Sequence, residues 1–134
     1  MLYGTVWMKA IDILLVGLGG GLGSLMRWKI GQMFDAGIAA RFKAGTILIN
    51  VTGTFLIAYI SAFLAVGWQQ RFGDFISAFV LTGVLGGYTT FSTMQLDAVQ
   101  MAAAHRWRSS VSYLVISVAA GLLAAAAGVA LARW

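Results

Sequence analysis

Charged residues divide this chain into long apolar stretches. Residues 44–70, between Lys43 and Arg71, carry no charge, nor do residues 75–96, between Asp74 and Asp97, nor residues 109–132, between Arg108 and Arg133. Each stretch is long enough to cross a hydrocarbon core about 30 Å thick. The first apolar segment is less clean: residues 13–26 are uncharged and run on into Arg27 and Lys29. The pattern predicts an all-α membrane protein of one four-helix domain, with spans at about 11–33, 45–67, 75–97 and 110–132. A signal peptide competes for the first segment, and would want a short apolar run and a small-residue cleavage site. The stretch from Gly17 to Gly23, followed by Arg27 and Trp28, fits a packed helix better.

Composition agrees with the pattern. Of 134 residues, 60% are hydrophobic and 10% charged, with a mean hydropathy of +0.88. A soluble domain of this size cannot build its surface from so few charges, and a disordered chain would not be so apolar. The net charge of +5 reads as loops held to anionic headgroups rather than as nucleic-acid binding. There is no Cys, so disulfides and thiolate–metal sites are excluded, and no Pro, so a helix break must come from Gly and Thr. Glu is absent too; the acids are Asp12, Asp35, Asp74 and Asp97. Four spans put both termini on one side, with Lys9, Arg71 and Arg133. The other side carries Arg27, Lys29, Arg41, Lys43, Arg106 and Arg108. That weakly favours the second side as cytoplasmic, and a bias so weak permits insertion both ways. Trp7, Trp28, Trp68, Trp107 and Trp134 fall near span ends, as interfacial anchors do.

Polar residues within the spans must find partners, because lipid offers none. Asn50, Thr52 and Thr54 lie in the second span, and Ser110, Ser112, Tyr113 and Ser117 in the fourth. The third is the densest, with Thr82, Thr89, Thr90, Ser92, Thr93 and Gln95. Single hydroxyls in such helices usually bond to their own backbone or join helices. In the third span, however, Gly86-Gly87 and Thr89-Thr90 weaken the helix near its middle. A break there frees backbone carbonyls, which are hard ligands suited to a Group 1 or 2 cation. The alternative is close packing, since Gly83 with Gly87, Gly17 with Gly21 and Gly19 with Gly23 are small-xxx-small pairs. Asn50 is either an interhelical hydrogen bond or an NH₂ donor for an anion. Phe91 is either core or a ring offering its positive edge to an anion. Arg27 is a snorkelling anchor or a buried helix-capping charge. His105 belongs to a solvated loop, and Asp97 to an interface rather than a proton path.

Enzyme motifs are missing. The glycines from Gly17 to Gly23 do not give G-x-G-x-x-G in register, and without Glu there is no H-E-x-x-H. A proton-coupled small multidrug exporter also has four short spans. It needs an intramembrane carboxylate, and Asp12 at the edge of the first span is the sole candidate. A purely structural membrane subunit is a third reading.

Three blocks together resemble the Fluc (CrcB) fluoride channels. They are GGGLGSLMRW at 19–28, GTILINVTG at 45–53 and TGVLGGYTTFSTM at 82–94. The third block is highly specific, and the resemblance covers nearly the whole chain. It implies a bacterial plasma-membrane channel that passively exports fluoride and reduces its toxicity. It also implies an antiparallel homodimer with two pores and a structural Na⁺ at its centre. By motif position, the carbonyls of Gly86 and Thr89 would hold that ion. Asn50 falls on the family's pore asparagine, Phe91 on the first residue of its phenylalanine box, and Thr46 on a pore-side threonine. Ser92 and Thr93 are the hydroxyls beside the box. The fourth-helix polar track begins at Tyr113 and Ser117. This chain departs from the family at three positions: Met94 stands at the second box position, and Gly121 and Ala125 stand at the next two track positions. Fluoride, lipid and a second copy of the chain are the implied partners.

Overall fold

A computed structural model of the chain describes residues 2–34, 40–66 and 74–134, with side chains from Ala10 onward. Trp68, Arg71, Asp35 and the expected end of the second span at 67 lie outside the described residues, as do the side chains of Trp7 and Lys9. Six helical segments are described: α1 (Leu2–Met33), α2 (Ala44–Phe63), α3 (Ile76–Leu85), α4 (Gly86–Tyr88), α5 (Phe91–Ala103) and α6 (Trp107–Ala132). No strand occurs among the described residues. Three helices are long and apolar enough to cross a membrane: α1 over Ala10–Met33, α2 and α6. Their outward side chains are those lipid would accept, with Leu18 68% and Leu123 72% exposed.

Local chemistry sets the ends. α1 begins well before the expected 11, because residues 2–10 contain no Pro and one Gly and so nothing that stops a helix. α2 and α5 close with the same turn. Val66 N–H reaches Ser61 O at 2.9 Å and Ala65 N–H reaches Ala62 O at 3.3 Å; Arg106 N–H reaches Met101 O at 2.9 Å and His105 N–H reaches Ala102 O at 3.0 Å. The residue in the left-handed region is Ala65 in one and His105 in the other, where Gly is the usual choice. Asp74 Oδ2 accepts the Ser77 N–H at 3.2 Å and so caps the start of α3. α3 is wound as a π-helix over ten residues, a form rare at such length.

Glycine decides how the helices meet. A methyl at Gly23 would land on Val84 O, and one at Gly87 on Gly20 O; Gly19 faces Phe79 O and Gly83 Cα. α1 and α3–α4 therefore touch backbone to backbone, as small residues permit. The Gly17 and Gly21 pair has no such neighbour: a Cβ at either would meet nothing within 4 Å. α6 crosses α2 in the same manner where Gly128 meets Phe55 O and Tyr59 N. α5 and α6 form a hairpin around Met94, Ala98, Met101 and Tyr113.

Candidate functional site

The helix that ends at Tyr88 and the one that starts at Phe91 are separated by two residues of extended backbone, Thr89 (φ −74°, ψ 154°) and Thr90 (φ −153°, ψ 113°). Extended residues inside a helical bundle leave polar groups without helical partners, and side chains supply them here. Asn50 donates from Nδ2 to Thr90 O at 3.0 Å, and its Oδ1 accepts the Thr90 N–H at 2.7 Å. The amide thus pairs with Thr90 as a neighbouring strand would, and keeps one N–H in reserve. Thr90 Oγ1 caps α5, accepting the Thr93 N–H at 3.2 Å and donating to Thr93 Oγ1 at 3.0 Å. Ser92 Oγ lies 3.3 Å from the same oxygen. On the other flank, Arg27 Nη1 donates to Thr89 O at 3.3 Å and Ser24 Oγ to Gly87 O at 3.4 Å. Arg27 is therefore a helix-capping charge, the second of its two readings. Gly86 is exposed. Its α-helical donor, the Thr90 N–H, is turned to Asn50, which leaves the Gly86 carbonyl available to an outside partner.

A second cluster lies one to two turns along α2 and α5. Asp97, 5% exposed, accepts the Thr46 hydroxyl at 2.7 Å and the Tyr113 hydroxyl at 3.3 Å, both on Oδ2. Its Oδ1 pairs with Lys43 Nζ at 3.2 Å, which also donates to Gln100 Oε1 at 3.2 Å. Between the two clusters is a cavity of ≈ 470 Å³ lined by Arg27, Lys43, Thr46, Thr90, Thr93 and Asp97, among others. Two cations, one carboxylate and a set of hydroxyls face this one space. The N-terminus of α5 opens towards it through Thr90 and Thr93, adding the positive end of a helix dipole. The arrangement suits a small anion held by neutral donors in a positive field.

Residues 14–129 match the family model described as CrcB-like protein, Camphor Resistance (CrcB). The chain is a member of the CrcB family. Among its curated relatives is the fluoride-specific ion channel FluC 2 of Yersinia pseudotuberculosis, 53% identical over 125 residues, which are 93% of this chain and 99% of that protein. FluC 3 of Yersinia pestis is 52% identical over the same shares. FluC 2 of Brucella suis is 50% identical over 118 residues, 88% of this chain and 92% of its own length.

Within this CrcB-family chain the structure brings some of the expected site residues together and sets others apart. Asn50, Thr46, Ser92, Thr93, Thr89 and Tyr113 belong to the two clusters just described. Ser117 is buried and donates to Tyr113 O at 2.7 Å, one turn further along α6. Phe91 stands apart, 70% exposed on the surface of the single chain and so outside that chain's own core. Met94, 5% exposed, is packed in the core with Ala98, Met101 and Tyr113. Sequence reasoning did not find Lys43 or the charge role of Asp97. The signal was there: Lys43, Thr46 and Asn50 are spaced i, i+3, i+7, one face of a helix, and Thr90, Thr93 and Asp97 repeat that spacing opposite. Tyr88 was also missed. It is 7% exposed and its hydroxyl lies 3.0 Å from Thr52 Oγ1, tying α4 to α2.

Proposed function

We propose that this chain is a fluoride-selective channel that lets fluoride leave the bacterial cytoplasm down its gradient. It works in the plasma membrane as an antiparallel homodimer. The observation that carries this is identity of about half over nearly the whole chain to proteins named as fluoride-specific ion channels. The geometry supports it. Fluoride is small and strongly hydrated, so a dry bundle must offer substitute donors at each step. The spare Asn50 N–H, the Thr93 and Ser92 hydroxyls and the ring edge of Phe91 are neutral donors, able to hold an anion without trapping it. The hydroxyls of Thr46, Tyr113 and Ser117 lie further along α2 and α6, where each donates within the chain, the first two to Asp97 Oδ2 and the third to Tyr113 O. Met94 has no ring edge, and at that level its thioether offers polarizability only.

The exposure of Phe91 supports a second copy that covers it, and the small imbalance of basic residues supports insertion in both orientations. The donor set at the break fits a hard monovalent cation in part: the Gly86 carbonyl is free of its helical donor, while Thr89 O already faces Arg27. A sodium ion held by Gly86 and Thr89 of both subunits would supply positive potential at the dimer centre. Two carbonyls from one chain are too few for such an ion, so the pair of copies must complete its shell.

The test is efflux from liposomes loaded with potassium fluoride or potassium chloride, with valinomycin to carry the counter-charge. Fluoride leaves without a proton gradient while chloride stays. Vesicles that hold intact protein and retain fluoride as protein-free vesicles do would end the proposal. Drug uptake that requires a pH gradient would move it to the exporter reading at Asp12.

A further inference from the structure

We infer that Lys43 is a charge-compensating positioning residue of the anion path. Its ammonium cancels the carboxylate of Asp97, so that the cavity stays attractive to an anion. The inference rests on the fluoride-channel reading above. Asp97 is a problem for any anion path. It is nearly buried, lines the cavity and binds two hydroxyls, those of Thr46 and Tyr113, that fluoride would need. An uncompensated carboxylate there repels the anion. Among the described residues Lys43 is the one cation that touches it, at 3.2 Å from Oδ1; Arg27, which also lines the cavity, is engaged with Thr89 O.

The backbone points the same way. Lys43 stands at the N-cap of α2 with φ 52° and ψ 39° and makes no side-chain cap. That is the left-handed region, where Gly or Asn costs less. The Lys43 side chain instead reaches Asp97 and Gln100. The bond to Gln100 Oε1 holds the ammonium on the α5 side, beside Asp97. A lysine acting only as a staple between α2 and α5 would give the same fold without any dependence on the charge of Asp97, and that difference can be measured.

The experiment uses the full chain in liposomes with fluoride as the probe, comparing wild type, K43Q, K43R, D97N and K43Q/D97N. At low ionic strength K43Q slows fluoride efflux by roughly tenfold or more. Inert salt at about 1 M, where the screening length is about 3 Å, brings that loss down to about threefold. K43R keeps most of the rate. In the D97N background, adding K43Q changes efflux by less than about twofold, because there is no longer a charge to cancel. A K43Q protein that conducts as wild type does, a loss indifferent to salt, or the same loss in the D97N background would each overturn the inference. Where K43Q alone fails to assemble, K43Q/D97N against D97N carries the test, and a ratio above about threefold overturns it. A wild-type protein that moves no fluoride overturns the channel reading itself; a conducting wild type with an indifferent Lys43 overturns this inference alone.

Discussion

Asn50 spends both ends of its amide on the backbone of a single residue, Thr90. No other side chain of its size carries donor and acceptor in the geometry of a peptide bond, so no simple replacement serves. Asn50→Ala leaves the Thr90 N–H and C=O unpaired at membrane depth and also removes the spare donor. Fluoride efflux is expected to fall by at least about tenfold, the effect of roughly 1.4 kcal/mol on a barrier, with the dimer still present by size exclusion. An Asn50→Ala protein at wild-type speed would take the residue out of the path. Phe91 is a contrasting case. Its ring stabilises nothing within one chain, so Phe91→Ala should leave subunit folding intact and slow fluoride by a similar factor; a folded variant that conducts normally would dismiss the ring. Asn50 and Phe91 were legible as residue types. Whether the asparagine joins helices was not, because that depends on what faces it; the structure shows it paired with the backbone of Thr90.

At the scale of elements, charge-free length came nearest for α2 and α6; α1 starts before residue 11 and carries Arg27 and Lys29, and the third stretch is divided among α3, α4 and α5, with the paired glycines and threonines where α4 gives way to α5. The glycine pairs were less legible. Gly19 with Gly23 and Gly83 with Gly87 share one spacing with Gly17 and Gly21, yet only the first four meet another backbone within the chain. The spacing shows that a stripe exists, and only the rotation of α1 shows which stripe is used. Gly23→Ala therefore has to push α1 off Val84 and Tyr88, at an overpacking cost of about 1–3 kcal/mol. It should lower the melting temperature in detergent, whereas Gly17→Ala, with open space around it in this chain, should change it much less. Equal shifts for the two would show that the α1–α3 contact is not the close one.

For the whole molecule, the expectations concern what two copies do together. Replacing Na⁺ by a large organic cation should slow fluoride efflux and weaken the dimer if the Gly86 and Thr89 carbonyls hold an ion; unchanged flux and assembly would remove that site. The chain's apolar length, its scarcity of charge and its third-span motif were enough to set an all-helical fold with apolar spans and the family, because each follows from residue type and order along one dimension. The tertiary structure alone decided that Asp97 and Lys43 share an ion pair beside the cavity, that Arg27 caps Thr89, that Met94 sits in the core and that Phe91 faces outward in the single chain. Such assignments turn on which side chains from distant turns point into the same few ångströms, and no spacing within one helix contains the rotation of its neighbour.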